Sequence, residues 1–358
     1  MTLDILRQRL HNQLLSQAKF TQPSQVVAWL GAVQSQDYAG AKWAVAQRTK
    51  GLTDAEIEQA FADGEILRTH VLRPTWHFVT PIDIRWMLAL TASRVLMLLA
   101  YLDRQLEVDK NLIGQTNEIL AKALEERKQS TRAELAAVIQ RNGIKTDGLR
   151  LGNFIMHAEL DGIICSGARR GKQFTYALLE ERAPQAKTLE REEALAELTK
   201  RYFRSHGPAT LKDFVWWSGL TMADARAGID FIKSQFEQEV IERQTYWFAP
   251  SRPVRKPSPS AFLLPNYDEY TVGYADRSAI LDVSHTDKLV LREGILAQST
   301  LIDGRVTGTW KRTIKKKEVV IELAPFMVPT RDQNQVIIAA TQQYGKFLGL
   351  PVVLMNAA

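Results

Sequence analysis

Residues 34–37 read Gln-Ser-Gln-Asp and close an apolar run that contains Val26-Val27-Ala28-Trp29-Leu30. Glutamine is neither a good base nor a nucleophile, but its side-chain carbonyl accepts hydrogen bonds and its NH2 donates them. Residues two apart face different sides of a helix, whereas in extended backbone they point the same way. If the helix ends near Val33, Gln34 and Gln36 project to one side of a rigid element, and such a pair could fix one water molecule. Gly40, just beyond, fits a turn. Alternatively, the four residues simply end a helix and meet solvent, and side-chain physics alone favours that plainer reading.

Constellations that would announce another chemistry are missing. The sequence has no GxSxG elbow, P-loop, GxGxxG after a strand, HExxH or CxxC. Six histidines are scattered at positions 11, 70, 77, 157, 206 and 285. His70 and His77 share one strand-like stretch, but spacing alone does not make a metal site, and His157 reads as a core histidine in an apolar helix. Trp216-Trp217 read as core and not as a base-stacking platform. The single cysteine, Cys165, excludes an internal disulfide framework and a thiolate zinc cluster. No metal and no cofactor are expected.

The elements that must carry these residues follow from pattern. The chain has 358 residues, 45% hydrophobic and 24% charged, as a soluble globular protein of two or three domains or an array of small ones would. No apolar stretch is expected to reach the roughly 18 residues that span a bilayer. The opening MTLDILRQRLHNQLL lacks the order of a signal peptide, which gives a cytoplasmic reading. Amphipathic helices are expected from about Leu3 to Ser16, from Pro23 to about Val33, and from Thr53 to Phe61, with Thr53 as cap. Asp63-Gly64 then opens a strand pair, EILRTHVLRPTWHFVT, with Arg73-Pro74 at its centre.

This order recurs. Thr131 and Glu134 match a capping box, a further helix runs from about Asp147 to Leu160, and Asp161-Gly162 opens a second hairpin, IICSGARRGKQFTYALL. A fainter third copy has helices from about Glu190 to Arg204, Thr210 to Trp217 and Met222 to Phe236 before EVIERQTYWFAP. The economical reading is an α+β chain of three tandem winged-helix units, 1–105, 106–185 and 186–250. A proline-rich linker, 251–260, leads to a small β-rich, barrel-like domain, 261–358, with a closing helix. The net charge of +6 is mild. Its clusters, at Arg169-Arg170 with Lys172, at Arg252 to Lys256 and at Lys311-Arg312 with Lys315 to Lys317, each lie beside turn or strand signals, which suits a polyanion.

Four stretches together resemble a known family: AVQSQDYAGAKWAVAQRT, RTHVLRPTWHFV followed by TPIDIRWM, LLPNYDEYTVGY, and DGRVTGTWKR. The chain is similar to bacterial winged-helix DNA glycosylases of the AlkZ/YcaQ type over essentially its whole length. The resemblance implies a C-shaped monomer whose concave face binds duplex DNA. It also implies removal of N7-alkylated purines and, in some members, unhooking of interstrand crosslinks. The family motif is Gln-x-Gln in one branch and Gln-x-Asp in the other. It maps here to Gln34 and Gln36, the AlkZ-like form, with Ser35 at a position that is usually apolar.

On that resemblance Gln34 and Gln36 orient a water near C1′ and contact the sugar-phosphate, with Asp37, Tyr38 and His77 as possible support. Arg68, Arg73 and His77 on the first hairpin would grip the lesion strand. Lys42, Arg169, Arg170 and Lys172 would meet the phosphate backbone, and Arg305 and Arg312 would extend that track. The expected setting is the bacterial cytoplasm, at the nucleoid, with no obligatory protein partner and no membrane. The alternative is a winged-helix DNA-binding protein or transcription regulator without catalysis, although no long heptad segment offers a dimerisation helix.

Overall fold

The computed structural model describes residues 3–250, 259–290 and 296–356. The expected linker 251–260, with the cations Arg252, Arg255 and Lys256, lies outside the described residues except for Pro259 and Ser260.

The first segment begins with α1 (Ile5–Asn12) and α2 (Pro23–Leu30). Gly31, with φ 87°, ends α2 and turns the chain into β1 (Val33–Gln34). The apolar run therefore stops being helical before Gln34. The next element, α3 (Tyr38–Ala46), was not expected, and it corrects the reading of Gly40 as a turn residue. The Asp37 carboxylate accepts the N–H of Gly40 at 3.0 Å and caps α3, and the alanine-rich sequence carries it on. α4 (Asp54–Asp63) starts at the expected cap, Thr53, which forms a capping box with Glu56.

Strands β2 (Leu67–Val71) and β3 (Arg73–Val79) pair antiparallel, and β1 adds to β3 in the order β1-β3-β2. The hairpin reverses at Leu72, φ 65°, and not at Arg73-Pro74. Pro74 faces the register shift beside Val71 and lies beyond the reach of β1, so its missing N–H interrupts no ladder.

Two long helices follow, α5 (Ile84–Gln105) and α6 (Lys110–Arg127). By length and composition alone α5 is apolar enough to cross a membrane, contrary to expectation. One face of it, from Ile84 and Trp86 to Val95 and Leu99, packs into the largest core. The second segment holds β4 (Ser130–Thr131), α7 (Arg132–Arg141), α8 (Arg150–Leu160), β5 (Ile164–Ser166) and β6 (Thr175–Leu178), with sheet order β4-β6-β5. After α9 (Leu179–Arg182) come α10 (Arg191–His206), α11 (Leu211–Ser218), α12 (Met222–Ile232) and the antiparallel pair β7 (Glu237–Ile241) and β8 (Gln244–Phe248). Three times, helices are followed by a small antiparallel hairpin sheet.

The last segment contains β9 (Ala261–Leu264), α13 (Glu269–Val272), α14 (Thr286–Leu289), β10 (Ser299–Ile302), β11 (Arg305–Ile314), β12 (Val319–Pro325), α15 (Arg331–Leu348) and β13 (Val352–Asn356). They form one open sheet, β13-β12-β11-β10-β9, and not a barrel. The reason lies in α15: it carries the chain back so that β13 joins β12 in parallel and extends the sheet, leaving β9 and β13 on opposite edges. Nor does this segment stand apart. Trp310, Ile321, Ile337 and Tyr344 share a core with Val26, Leu30, Val33 and Tyr38 of the first segment.

Candidate active site

Gln34 opposes His77 in the β1–β3 ladder, and the N–H of Ser35 bonds to the Trp76 carbonyl at 2.7 Å. This short pairing fixes the backbone of the motif. The Gln34 side chain is only 8% exposed, whereas Gln36 is exposed. Arg73 Nη2 donates to Gln34 Oε1 at 2.9 Å and its Nη1 to the Trp216 carbonyl at 3.4 Å. Because a guanidinium has no acceptor, the group facing Arg73 must be the amide oxygen. The Trp76 N–H likewise points to Gln36 Oε1, at 3.4 Å. Each carbonyl thus keeps one lone pair for another donor, and each NH2 group remains as a donor.

A residue that sequence reasoning missed underlies this arrangement. Glu269, at the start of α13, is fully enclosed. Its Oε1 accepts the backbone N–H of Gln34 at 2.9 Å, and its Oε2 accepts Trp217 Nε1 at 2.9 Å and His206 Nε2 at 3.3 Å. Burial alone would raise its carboxyl, but His206, the Gln34 N–H and the Arg73 charge outweigh burial and hold it below the usual value. Burial depresses His206 more than Glu269 raises it, so a neutral Nε2–H imidazole faces an ionised carboxylate. The signal that could have found Glu269 is its place in LLPNYDEYTVGY, the stretch that carried the resemblance. The preceding residue, Asp268, receives both terminal nitrogens of Arg48 at 2.9 and 2.7 Å, and neither side chain is exposed.

The other expected residues fall into three groups. His77 lies in the same buried cluster: its Nδ1 is 2.9 Å from the Thr75 carbonyl, and burial, helped by Arg73, lowers it to about 3. It is a neutral ring with no route to solvent. Asp37 spends one oxygen on capping α3 and offers the other to Arg312 Nη2 at 3.3 Å. Tyr38 is core, edge-on to Phe61, Phe78 and Phe174.

Three expected phosphate contacts are paired with carboxylates of the protein itself, two of them away from the surface. Lys42 is 4% exposed, with its ammonium 2.9 Å from Asp54 and 2.7 Å from Glu58. Its place on α3 turns it inward to α4. Arg169 folds back on Glu58 at 3.1 Å and over the Tyr38 ring, and Arg170 pairs with Glu134 at 2.9 Å and with the Gln129 carbonyl. Lys172 and Arg305 are exposed. Arg68 is buried at 7% exposure, its Nε on the Ser35 carbonyl at 3.2 Å. Arg68, Arg73, His77 and Arg312 therefore all contact the motif or flank it, while Arg305 lies at the opposite end of β11, beside the β10–β11 turn.

A family model described as AlkZ-like, DNA glycosylase AlkZ-like, matches residues 27–347. The interstrand DNA cross-link repair glycosylase of Streptomyces sahachiroi is 25% identical over 345 residues, 89% of this chain and 88% of that protein. The solved structure of the Streptomyces sahachiroi DNA glycosylase AlkZ is similar with a TM-score of 0.82 at 22% identity, covering 98% of each chain. That likeness establishes a shared fold. With the family match running unbroken from α2 through the glutamine motif and Glu269 into α15, the chain belongs to the AlkZ-like DNA glycosylase family.

Proposed function

We propose that the chain hydrolyses the N-glycosidic bond of N7-alkylated purines in duplex DNA, and that it unhooks interstrand crosslinks joined through such purines. Alkylation at N7 makes guanine a cation and weakens its bond to the sugar, so no strong acid is needed to release the base. What remains is to place a water at C1′ and to stabilise an oxocarbenium-like sugar. The observation that carries the reading is Gln34: its side chain is held by Arg73 and its backbone by Glu269, beside the exposed amide of Gln36. In this proposal the free lone pair of the Gln34 carbonyl accepts a hydrogen bond from the attacking water and orients it, and the proton leaves to solvent after the water has added to C1′. The Gln36 NH2 donates to the sugar-phosphate. The enclosed Glu269 supplies negative potential beneath the developing cation, and Asp37 is assigned to capping.

The three helix–hairpin segments, 1–105, 106–185 and 186–250, act in this reading as winged helices around the duplex, with 261–358 completing the cleft. The protein works as a monomer at the bacterial nucleoid without an obligatory protein partner. Arg68, Lys172 and Arg312 are the cations retained for DNA, with Arg305 as an outlying contact.

The test is a duplex bearing one N7-methylguanine. The wild-type protein should leave an alkali-labile abasic site, and Gln34→Ala and Gln36→Ala should each slow its formation by about a hundredfold or more. No site with wild type, or undiminished cutting by the double variant, sinks the proposal. Binding should weaken steeply with salt and show little sequence preference, which separates this protein from a sequence-specific regulator.

A further inference from the structure

We propose that the cleft between the first and second hairpins is a built phosphate subsite, in which Arg68 receives one backbone phosphate of the lesion strand next to the glutamine motif. The inference rests on the DNA-binding half of the reading above and not on its catalysis.

The cleft has a volume of about 550 Å³, and its lining includes Arg68, Trp76, Arg132, Lys172, Phe174 and Tyr176. Three of these are cations, and the lining contains no carboxylate. Lys172 and Arg132 are exposed at the mouth, while Arg68 forms the buried part at 7% exposure. The Arg68 guanidinium lies 4.3 Å from the centre of the Trp76 ring and 4.5 Å from that of Phe174. With two rings against it and its Nε on Ser35, only its outer edge is left to bind. Among the described residues neither terminal nitrogen of Arg68 meets an acceptor.

A buried charge without a partner is costly, and proteins normally pair it or reserve it for a ligand. Glu159, whose field reaches Arg68, is itself engaged by His70 Nδ1. Burial lowers Arg68 to about 10, so it stays cationic at neutral pH. A guanidinium edge matches two oxygens of a phosphate, and two further cations at the mouth favour an anion over a neutral base edge.

Position specifies which phosphate. Arg68 holds the carbonyl of Ser35, between the two glutamines, and Trp76, a wall of the cleft, donates its N–H to Gln36. A phosphate on Arg68 is therefore one side chain away from the motif. At about 3.4 Å of axial rise per phosphate, that places it within two or three phosphates of the target nucleotide. Contact there would also lock Arg68 onto Ser35, so the same side chain that reads the strand steadies the motif.

The experiment measures binding of full-length protein to duplexes with an uncleavable abasic analogue, so failure of the catalytic reading does not affect it. Phosphates within three positions of the analogue are replaced one at a time by neutral methylphosphonate. For wild type, one or two positions on one strand should weaken binding about tenfold, the size expected of a charge-assisted contact. At those positions Arg68→Gln should show less than about a twofold effect. Should Arg68→Gln fail to fold, Arg68→Lys keeps the buried charge but loses the two-pronged edge, and it should cut the same positional effect to about threefold. Lys172→Gln alone should lower the slope of log Kd against log salt by about one. Equal sensitivity of wild type and variants at every position overturns the proposal. So does protection of the cleft by inorganic phosphate with no responding backbone position, which would mark a site for a free anion.

Discussion

Replacing Glu269 tests whether the site depends on a carboxylate supplied from far along the chain. Its two oxygens accept three hydrogen bonds in full enclosure: 2.9 Å from the Gln34 N–H, 2.9 Å from Trp217 Nε1 and 3.3 Å from His206 Nε2. Glu269→Ala leaves three buried donors without an acceptor, at roughly 1–3 kcal/mol each. Partial relaxation and water entry reduce that sum, so a loss of about 3–5 kcal/mol is expected. Glu269→Gln keeps one carbonyl oxygen. Its NH2 can face His206 Nε2 if that ring moves its proton to Nδ1, where the Ser205 hydroxyl, 2.8 Å away, can accept it. One donor is then orphaned, at a cost of about 1–2 kcal/mol.

Urea unfolding at pH 7.5 and single-turnover release of N7-methylguanine read the two effects. With β1 unpinned, a displacement of order 1 Å at Gln34 would slow release roughly a hundredfold in the alanine variant. The glutamine variant should stay within about tenfold of wild type if holding β1 is the main role, and fall well below that if the negative charge also serves the sugar cation. An alanine variant within about 1 kcal/mol of wild-type stability would refute the account, because three orphaned donors cannot cost so little.

Two further outcomes follow from nearby geometry. Gly40→Ala puts a methyl 2.5 Å from Asp37 Oδ2 and 2.9 Å from Pro265 Cβ, so thermal unfolding should show a loss of about 1–3 kcal/mol. Asp37→Ala should cost about 1 kcal/mol as a lost cap, with base release close to wild type, and a folded but inactive variant would return Asp37 to the chemistry. Stability should also depend on pH through His77, lowered to about 3, and His206, lowered as well. Both folded values lie below the unfolded value near 6.5, so the unfolded chain takes up protons that the folded one refuses. Their contribution is complete above about pH 6.5 and declines as pH falls, by up to about 1.4 kcal/mol per unit for each ring. A flat urea midpoint between pH 7.5 and 5.5 would count against neutral buried histidines.

Much of the scaffold was legible because capping and turn chemistry are local. Thr53 with Glu56, and Thr131 with Glu134, start helices where their spacing says they should, and both Asp-Gly pairs introduce hairpins. The glutamine motif was singled out only by the resemblance, because side-chain physics alone favoured a plain helix end meeting solvent. What escaped depends on partners distant in sequence. Tyr38-Ala39-Gly40 looked like a turn, and only the Asp37 side chain folding onto Gly40 makes it the start of a helix. Lys42 looked free for phosphate until α4 brought Asp54 and Glu58 to it. Glu269 stood in a recognised stretch, but nothing in that stretch says it reaches back to residue 34. The open sheet turned on β13, a few residues at the end whose pairing no local signal reveals.

The bond from Glu269 to Gln34 spans 235 residues of sequence, and its consequence is one of timing. A chain emerging from the ribosome exposes both glutamines early, with most of its length still unmade. During that interval the strand that carries them has no carboxylate to fasten it, and Arg48 awaits Asp268. The fastening of the motif is complete only once the segment from β9 onward has been made and docked, so a fragment that ends before β9 would carry both glutamines without the carboxylate that holds their strand.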